Sequence, residues 1–350
     1  MKKDSLKKTT QNIIKNGRGL LAADESNGTM GKRLADIGVE NTEENRRAFR
    51  EILFTTPGFE EYCGGVILYE ETLTQKTSNG KPFVELLSEK GIVPGIKVDC
   101  GAHPLANSHG EMITEGLDGL RERFGHYYHA GARFAKWRAV IEIDEAGRPS
   151  GQAIHANAEA LARYAALAQE AGIVPIVEPE VLMDGDHTIE RCDLVTREVL
   201  ETVFDYLLLH RVELDGLLLK PNMVISGKQC EQETPRDERA EDVATKTVHC
   251  LRDNVPSDVP GIVFLSGGQG EVEATENLQA INSIEGGKPW VLSFSYGRAL
   301  QQGALKTWQG KAENIQACQQ TFLHRAHMNW LAAHGNYSQE IESKKTKLSA

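Results

Sequence analysis

Gly216-Leu-Leu-Leu-Lys-Pro-Asn-Met-Val224 is an apolar run that stops abruptly at a lysine. The leucines read as a short strand buried on both faces, as in a parallel sheet. Seven further runs of the same kind occur: Gly19–Ala23, Gly65–Tyr69, Val93–Val98, Arg133–Trp137, Val174–Val177, Gly261–Leu265 and Trp290–Phe294. They recur at intervals of about 30 to 45 residues, and helix-like segments lie between them. In Ala156–Gly172, for example, Leu161, Tyr164, Ala165 and Ala168 share one face and Gly172 stops the helix. The segment Thr42–Phe54 opens on an N-cap type threonine with carboxylates close behind, which reads as a capping box. Eight strands alternating with helices predict an α/β fold, a single (β/α)8 TIM barrel. No linker or shift in composition marks a second domain, so residues 1–335 are expected to form the barrel and 336–350 a polar, mobile tail.

The chain has 350 residues, 40% hydrophobic and 25% charged, with 12 prolines, the composition of an ordinary globular protein. No apolar run approaches the roughly 20 residues that span a bilayer, and the N-terminus lacks a signal-type apolar core, so a cytoplasmic location is expected. A net charge of -11 disfavours nucleic acid and anionic membrane as partners. Six scattered cysteines without a Cys-x-x-Cys pattern read as reduced thiols. His103 with His109 and His126 with His129 lack a metal-ligand pattern and read as surface, so no metal is expected.

Charges gather where the strands end. Asp24 follows the first; Lys97 and Asp99 stand at the third, Lys136 and Arg138 at the fourth, Glu178 and Glu180 after the fifth; Lys220 closes the sixth run. Side chains two apart on a strand share a face, so these charges are expected to converge on the C-terminal mouth of the barrel, where enzymes of this architecture do their chemistry. An ion-pair network that merely fills space is the alternative for any one of them; for the set, function is the better reading. For Lys220, burial and neighbouring cations would both disfavour the ammonium form. A free amine near neutral pH is what a Schiff-base nucleophile requires, whereas a lysine that simply reaches water is the plain alternative. Ser266-Gly-Gly-Gln-Gly270 and Ser295-Tyr-Gly-Arg298 follow the seventh and eighth runs, where barrels often bind phosphate through backbone N–H groups, and Arg298 adds a cation. Ser26, Thr29, Lys32 and Arg33 after the first run offer a second anion site. A substrate with phosphate at both ends fits this layout.

Eight ordered segments resemble the class I fructose-bisphosphate aldolases. They are Leu21–Ser26, Glu43–Arg47, Gly95–Asp99, Phe134–Arg138, Pro175–Glu180, Leu218–Val224, Phe264–Gln269 and Phe294–Leu300. The resemblance spans about residues 10 to 335. It implies a metal-independent lyase of glycolysis and gluconeogenesis, usually a homotetramer, without a bound cofactor. Its reaction would be reversible cleavage of fructose 1,6-bisphosphate to dihydroxyacetone phosphate and glyceraldehyde 3-phosphate. It implies further that Lys220 forms the Schiff base, that Glu178 is the acid/base of that adduct, and that Asp24 handles the C4 hydroxyl proton. Lys136 would hold the carbinolamine, with Arg138 and Glu180 in support. Ser266, Gly267, Gly268, Ser295, Gly297 and Arg298 match the C1-phosphate site; Ser26, Thr29, Arg33 and Lys97 match residues near the other phosphate. Thr29 stands where some relatives have serine, and the chain ends Lys345–Ala350 without the terminal tyrosine of many animal members. A transaldolase-like or other Schiff-base sugar-phosphate enzyme, and a non-catalytic sugar-phosphate-binding protein, are the competing readings.

Overall fold

The computed structural model describes residues 2–144, 147–231, 236–344 and 346. All eight expected runs are strands: β1 (Gly19–Ala23), β2 (Cys63–Leu68), β3 (Val93–Lys97), β4 (Phe134–Ile141), β5 (Val174–Val181), β6 (Leu218–Leu219), β7 (Gly261–Phe264) and β8 (Val291–Tyr296). Each pairs in parallel with its sequence neighbours, and β8 returns to β1, so the sheet closes into a barrel. Helices cover the outside between successive strands. A small antiparallel ribbon, Ala102–Pro104 with Met112–Thr114, is an unforeseen insertion after β3.

Alternation along the strands sorts the residues into two cores. Leu20, Ala22, Ile67, Phe134, Val174, Ile176, Leu218 and Val263 form an inner cluster, which the N-terminal segment closes with Leu6, Ile13 and Ile14. Their neighbours Leu21, Ala23, Ala135, Val177, Leu217 and Leu219 face the helices in the outer core. Glycines make room for the inner plug: a Cβ on Gly95 would lie 2.2 Å from the Phe134 ring. The inward register then continues upward from apolar to charged side chains, from Phe134 to Lys136 and Arg138, from Ile176 to Glu178 and Glu180, and from Leu218 to Lys220. An apolar floor therefore carries a polar top.

Several boundaries differ from expectation. β4 and β5 run four residues beyond the predicted ends, so Arg138, Glu178 and Glu180 lie inside strands. The backbone ladder pairs Arg138 with Glu178 and Val140 with Glu180, and charges that can neutralise one another across neighbouring strands need not end a strand. The helix containing Leu161 begins at Gly151, capped by Ser150, and ends at Gly172 in the left-handed region. Thr42 caps Glu43–Thr55 by accepting from the Asn45 N–H, but the third residue on is asparagine, whose side chain bonds the Glu40 carbonyl. That is half of a capping box. In the segment after Asn336, Tyr337 is buried and Gln339–Glu342 is helical, while Lys345 and residues 347–350 lie outside the described residues.

Candidate active site

A cavity of about 730 Å³ opens at the C-terminal mouth of the barrel. Asp24, Lys136, Arg138, Glu178, Glu180 and Lys220 line it, together with Ser26, Thr29, Arg33, Lys97, Ser266, Gly267, Gly268, Ser295, Gly297 and Arg298, whereas Lys32, which the sequence also offered for an anion, does not.

At its floor stands a row of buried charges. Lys220 Nζ is 2.9 Å from Glu178 Oε1, and Lys136 Nζ is 3.4 Å from Glu178 Oε2, 2.8 Å from Asp24 Oδ2 and 4.0 Å from Asp99 Oδ2. Lys220 and Lys136 are each only 4% exposed, so these contacts act with little solvent screening. Lys220 is placed by its backbone: its N–H continues the sheet to the Val177 carbonyl at 2.8 Å, and Pro221 accepts from Leu265. Other cations stand at the same mouth as expected, with Lys136 sharing Glu178 with this lysine, but a carboxylate comes between. The nearest charged group to Lys220 is that carboxylate, because β5 brings Glu178 into the row beside it.

The row sets its own protonation. Burial disfavours the charge of Lys136, but Asp24, Glu178 and Asp99 outweigh it and hold its pKa well above that of an ordinary lysine. Burial would likewise raise Asp24, yet the charges of Lys136 and Lys220 pull it down to about 2.

The wall carries further pairs. Arg138 Nε bonds Glu180 Oε2, and Arg33 bonds Glu25, which also accepts from Gln301. Lys97 contacts Asp99 Oδ1 at 2.6 Å. Arg298 differs, with no hydrogen-bond or ion-pair partner among the described residues. It opens the helix Arg298–Trp308, so the helix N-terminus and a free guanidinium share one edge of the cavity. On the same side Gly267 and Gly268 hold φ of 56° and 100°, which turns the chain sharply and leaves backbone exposed where a side chain would stand. Ser295 Oγ is buried there without a hydrogen-bond partner among the described residues. Next to it, after the neighbouring strand β1, Ser26 caps Asn27–Ala35 through the Thr29 N–H, a second helix N-terminus at the mouth. Two anion-receptive edges thus share one cavity with a buried amine.

Sequence reasoning passed over several lining residues. Glu25 and Lys228 carry charge into the cavity, and Tyr69, Tyr127 and Arg123 form part of its wall. Glu25 sat within a quoted motif; Lys228 lies in an irregular loop whose position depends on distant backbone contacts. Cys100, also at the mouth, is exposed, and none of the cysteines is disulfide-bonded. His103, His109, His126 and His129 are exposed. Among the described residues, no group of three or more His, Cys, Asp or Glu side chains is placed to hold a metal ion. No described helix is long and apolar enough to cross a membrane.

Comparison with known proteins agrees with this architecture. The class-I fructose-bisphosphate aldolase family matches residues 5–350. Fructose-bisphosphate aldolase 4, cytosolic, of Arabidopsis thaliana is 55% identical, over 93% of this chain and 82% of its own length. The fructose-bisphosphate aldolase of Echinococcus multilocularis is 53% identical, over 98% and 93%. Among solved structures, the Plasmodium falciparum fructose-bisphosphate aldolase, crystallised with TRAP and a small-molecule inhibitor, superposes with a TM-score of 0.93. It is 50% identical, with 96% and 95% of the two chains covered.

Proposed function

The chain belongs to the class I fructose-bisphosphate aldolases, and from that premise we propose that it cleaves fructose 1,6-bisphosphate through an iminium on Lys220. The products are dihydroxyacetone phosphate and glyceraldehyde 3-phosphate. One observation carries the reading: a buried lysine amine stands 2.9 Å from a carboxylate, in one cavity with two anion-receptive edges.

The substrate lies with its C1 phosphate at Ser266, Gly267, Gly268, Ser295, Gly297 and Arg298, and its other phosphate toward Ser26, Thr29, Arg33 and Lys97. Lys220 attacks the C2 ketone; as the carbinolamine forms, Glu178 takes the amine's proton and Lys136 gives one to the C2 oxygen, which it regains from Asp24 after the C4 hydroxyl is deprotonated. Glu178 returns a proton to the C2 hydroxyl, which leaves as water and gives the iminium. Asp24 then accepts the C4 hydroxyl proton, the C3–C4 electron pair moves into the iminium, and the aldehyde departs. Protonation of the enamine at C3 and hydrolysis release the second product and restore the amine.

Asp24 poses a physical problem, since a carboxylate held at about 2 is a weak base at neutral pH. Its depression comes largely from Lys136, 2.8 Å away. When the carbinolamine oxygen draws Lys136 toward C2, that restraint loosens, and burial raises the basicity of Asp24 at the step that needs it. Arg138 and Glu180 keep the row in register.

No bound cofactor or metal enters this scheme, because the iminium supplies the electron sink. A cytoplasmic homotetramer is part of the same reading. The exposed Leu194, Leu208 and Leu209 on the helix Ile189–Leu209 supply apolar surface for association, and light scattering tests it. We place the barrel domain at 1–335, with 336–350 as its tail. The transaldolase-like alternative is not favoured, since the family match runs through both phosphate edges.

Borohydride with dihydroxyacetone phosphate should add the reduced adduct's mass to the peptide containing Lys220, and a chelator should leave cleavage intact. An unlabelled Lys220 during turnover sinks the mechanism.

A further inference from the structure

Lys228 is absent from the scheme above, yet it enters the same cavity. Its loop is built to hold it. The N–H groups of Gly227, Lys228 and Gln229 donate to the carbonyls of His187, Met183 and Gly185 at 2.8 to 2.9 Å, which ties the loop after β6 to the loop after β5. Gly227 permits this close approach, since a Cβ there would lie 2.3 Å from the Gly185 carbonyl oxygen.

From this anchored backbone the side chain reaches Gly268. A point one Cβ length from the Gly268 Cα lies 2.7 Å from Lys228 Nζ and 3.3 Å from Arg298 Nη2. Two cations therefore converge on one glycine turn, and the unpartnered Ser295 Oγ lines the same cavity. Like charges this close repel unless an anion lies between them. Among the described residues, the carboxylate paired with Lys228 is Asp184, at 2.9 Å, on the far loop of the clamp. Both members are substantially exposed, with side-chain exposures of 39% and 66%, and such pairs are weak.

The geometry points to Lys228 as a further substrate-binding residue, a second cation for the C1 phosphate that Asp184 holds in the empty site and yields when the phosphate arrives. This rests on the reading that Gly268, Ser295 and Arg298 take that phosphate. A phosphate dianion at the Gly268 turn meets Arg298 on one side and Lys228 on the other, and its charge outcompetes the single, solvated carboxylate of Asp184. Asp184 in turn reduces repulsion between the two cations while the site is empty.

The test is kinetic. Lys228→Gln should raise KM about fivefold for fructose 1,6-bisphosphate and by the same factor for fructose 1-phosphate, since both carry the C1 phosphate, with the loss in KM and not in kcat. Lys228→Arg should restore most of it. Asp184→Asn should lower KM in the otherwise unchanged enzyme and have no effect beside Lys228→Gln, a double-mutant cycle that a general change in surface charge would not reproduce. Unchanged KM values, a rise confined to the bisphosphate, or an Asp184→Asn effect that persists without Lys228 would each overturn the assignment. Borohydride with saturating dihydroxyacetone phosphate keeps the two readings apart. Labelling of Lys220 with unchanged KM values condemns Lys228 alone, whereas absence of labelling in the unsubstituted enzyme condemns the iminium on which both depend.

Discussion

Lys220 Nζ stands 2.9 Å from Glu178 Oε1, and both side chains are almost fully buried. The second oxygen of that carboxylate faces Lys136, so Glu178 bridges the amine that attacks and the cation that steadies the adduct. Replacing it by glutamine keeps the shape and removes the proton carrier. Glu178→Gln should lower kcat by roughly 10²- to 10⁴-fold. The rate of borohydride trapping with dihydroxyacetone phosphate should fall alongside it, while the final extent of labelling stays stoichiometric. Trapping at the unsubstituted rate would remove Glu178 from the proton transfers of the adduct.

Lys136 contacts three carboxylates at once, and its loss has a pH signature. In the unsubstituted protein Asp24 is depressed from 3.8 to about 2, so its ionisation stabilises the fold above pH 3.8, and that contribution disappears as the pH falls through about 2. In Lys136→Gln the burial of Asp24 remains while its strongest opposing charge is gone, so its folded pKa should rise above the unfolded value. Ionising it then destabilises the fold increasingly as pH rises through that new value. The deficit should reach roughly 3 to 5 kcal/mol at pH 8 and shrink at pH 4.5. Thermal melts at the two pH values decide it; a deficit independent of pH would mean that Asp24 does not feel Lys136.

Much of this architecture is legible along the chain because strand periodicity carries it. Phe134, Lys136 and Arg138 lie two apart, and so do Ile176, Glu178 and Glu180; period two alone places each set on one face. What periodicity cannot give is the partner across a strand pair. Glu178 is beside Lys220 because β5 and β6 pair with Ile176 opposite Leu218, a register that no local pattern states. The carboxylate between Lys220 and its nearest cation went unforeseen for that reason. Lys228 was invisible for another: its place at Gly268 depends on three backbone hydrogen bonds between two irregular loops. The missed ribbon at 102–114 has three-residue strands, too short for alternation to register.

The barrel floor gives a packing prediction. A methyl group on Gly95 would lie 2.2 Å from the Phe134 ring, and that ring is fully buried among Leu20, Ile67 and Ile176. Gly95→Ala must displace the ring or the strand, at a cost of about 1 to 3 kcal/mol, read as a lower urea midpoint with an unchanged m-value. Adding Phe134→Leu frees space at the point of conflict, so the double variant should lose less than the sum of the two single losses. Simple additivity would place the strain elsewhere.

The C-terminal segment offers the last test. Arg325 Nη1 and Nη2 meet Glu342 Oε1 and Oε2 at 3.0 and 2.6 Å, and His324 Nε2 approaches Oε1 at 3.4 Å. Burial would raise the Glu342 pKa, but hydrogen bonds from His324 and Arg325 and the charge of Arg325 hold it at about 2 against an ordinary 4.5. A depressed carboxylate stabilises above its unfolded pKa, so this contribution is whole above about pH 4.5 and is lost as the pH falls toward 2. Glu342 is partly solvated, which limits the effect to about 1 kcal/mol. Glu342→Gln should therefore flatten the fall in melting temperature between pH 4.5 and 2, and at neutral pH it should speed hydrogen exchange across residues 337–344. Equal acid sensitivity in the two proteins, with unchanged exchange, would show that the segment is held by Tyr337 and its apolar contacts and not by this ion pair.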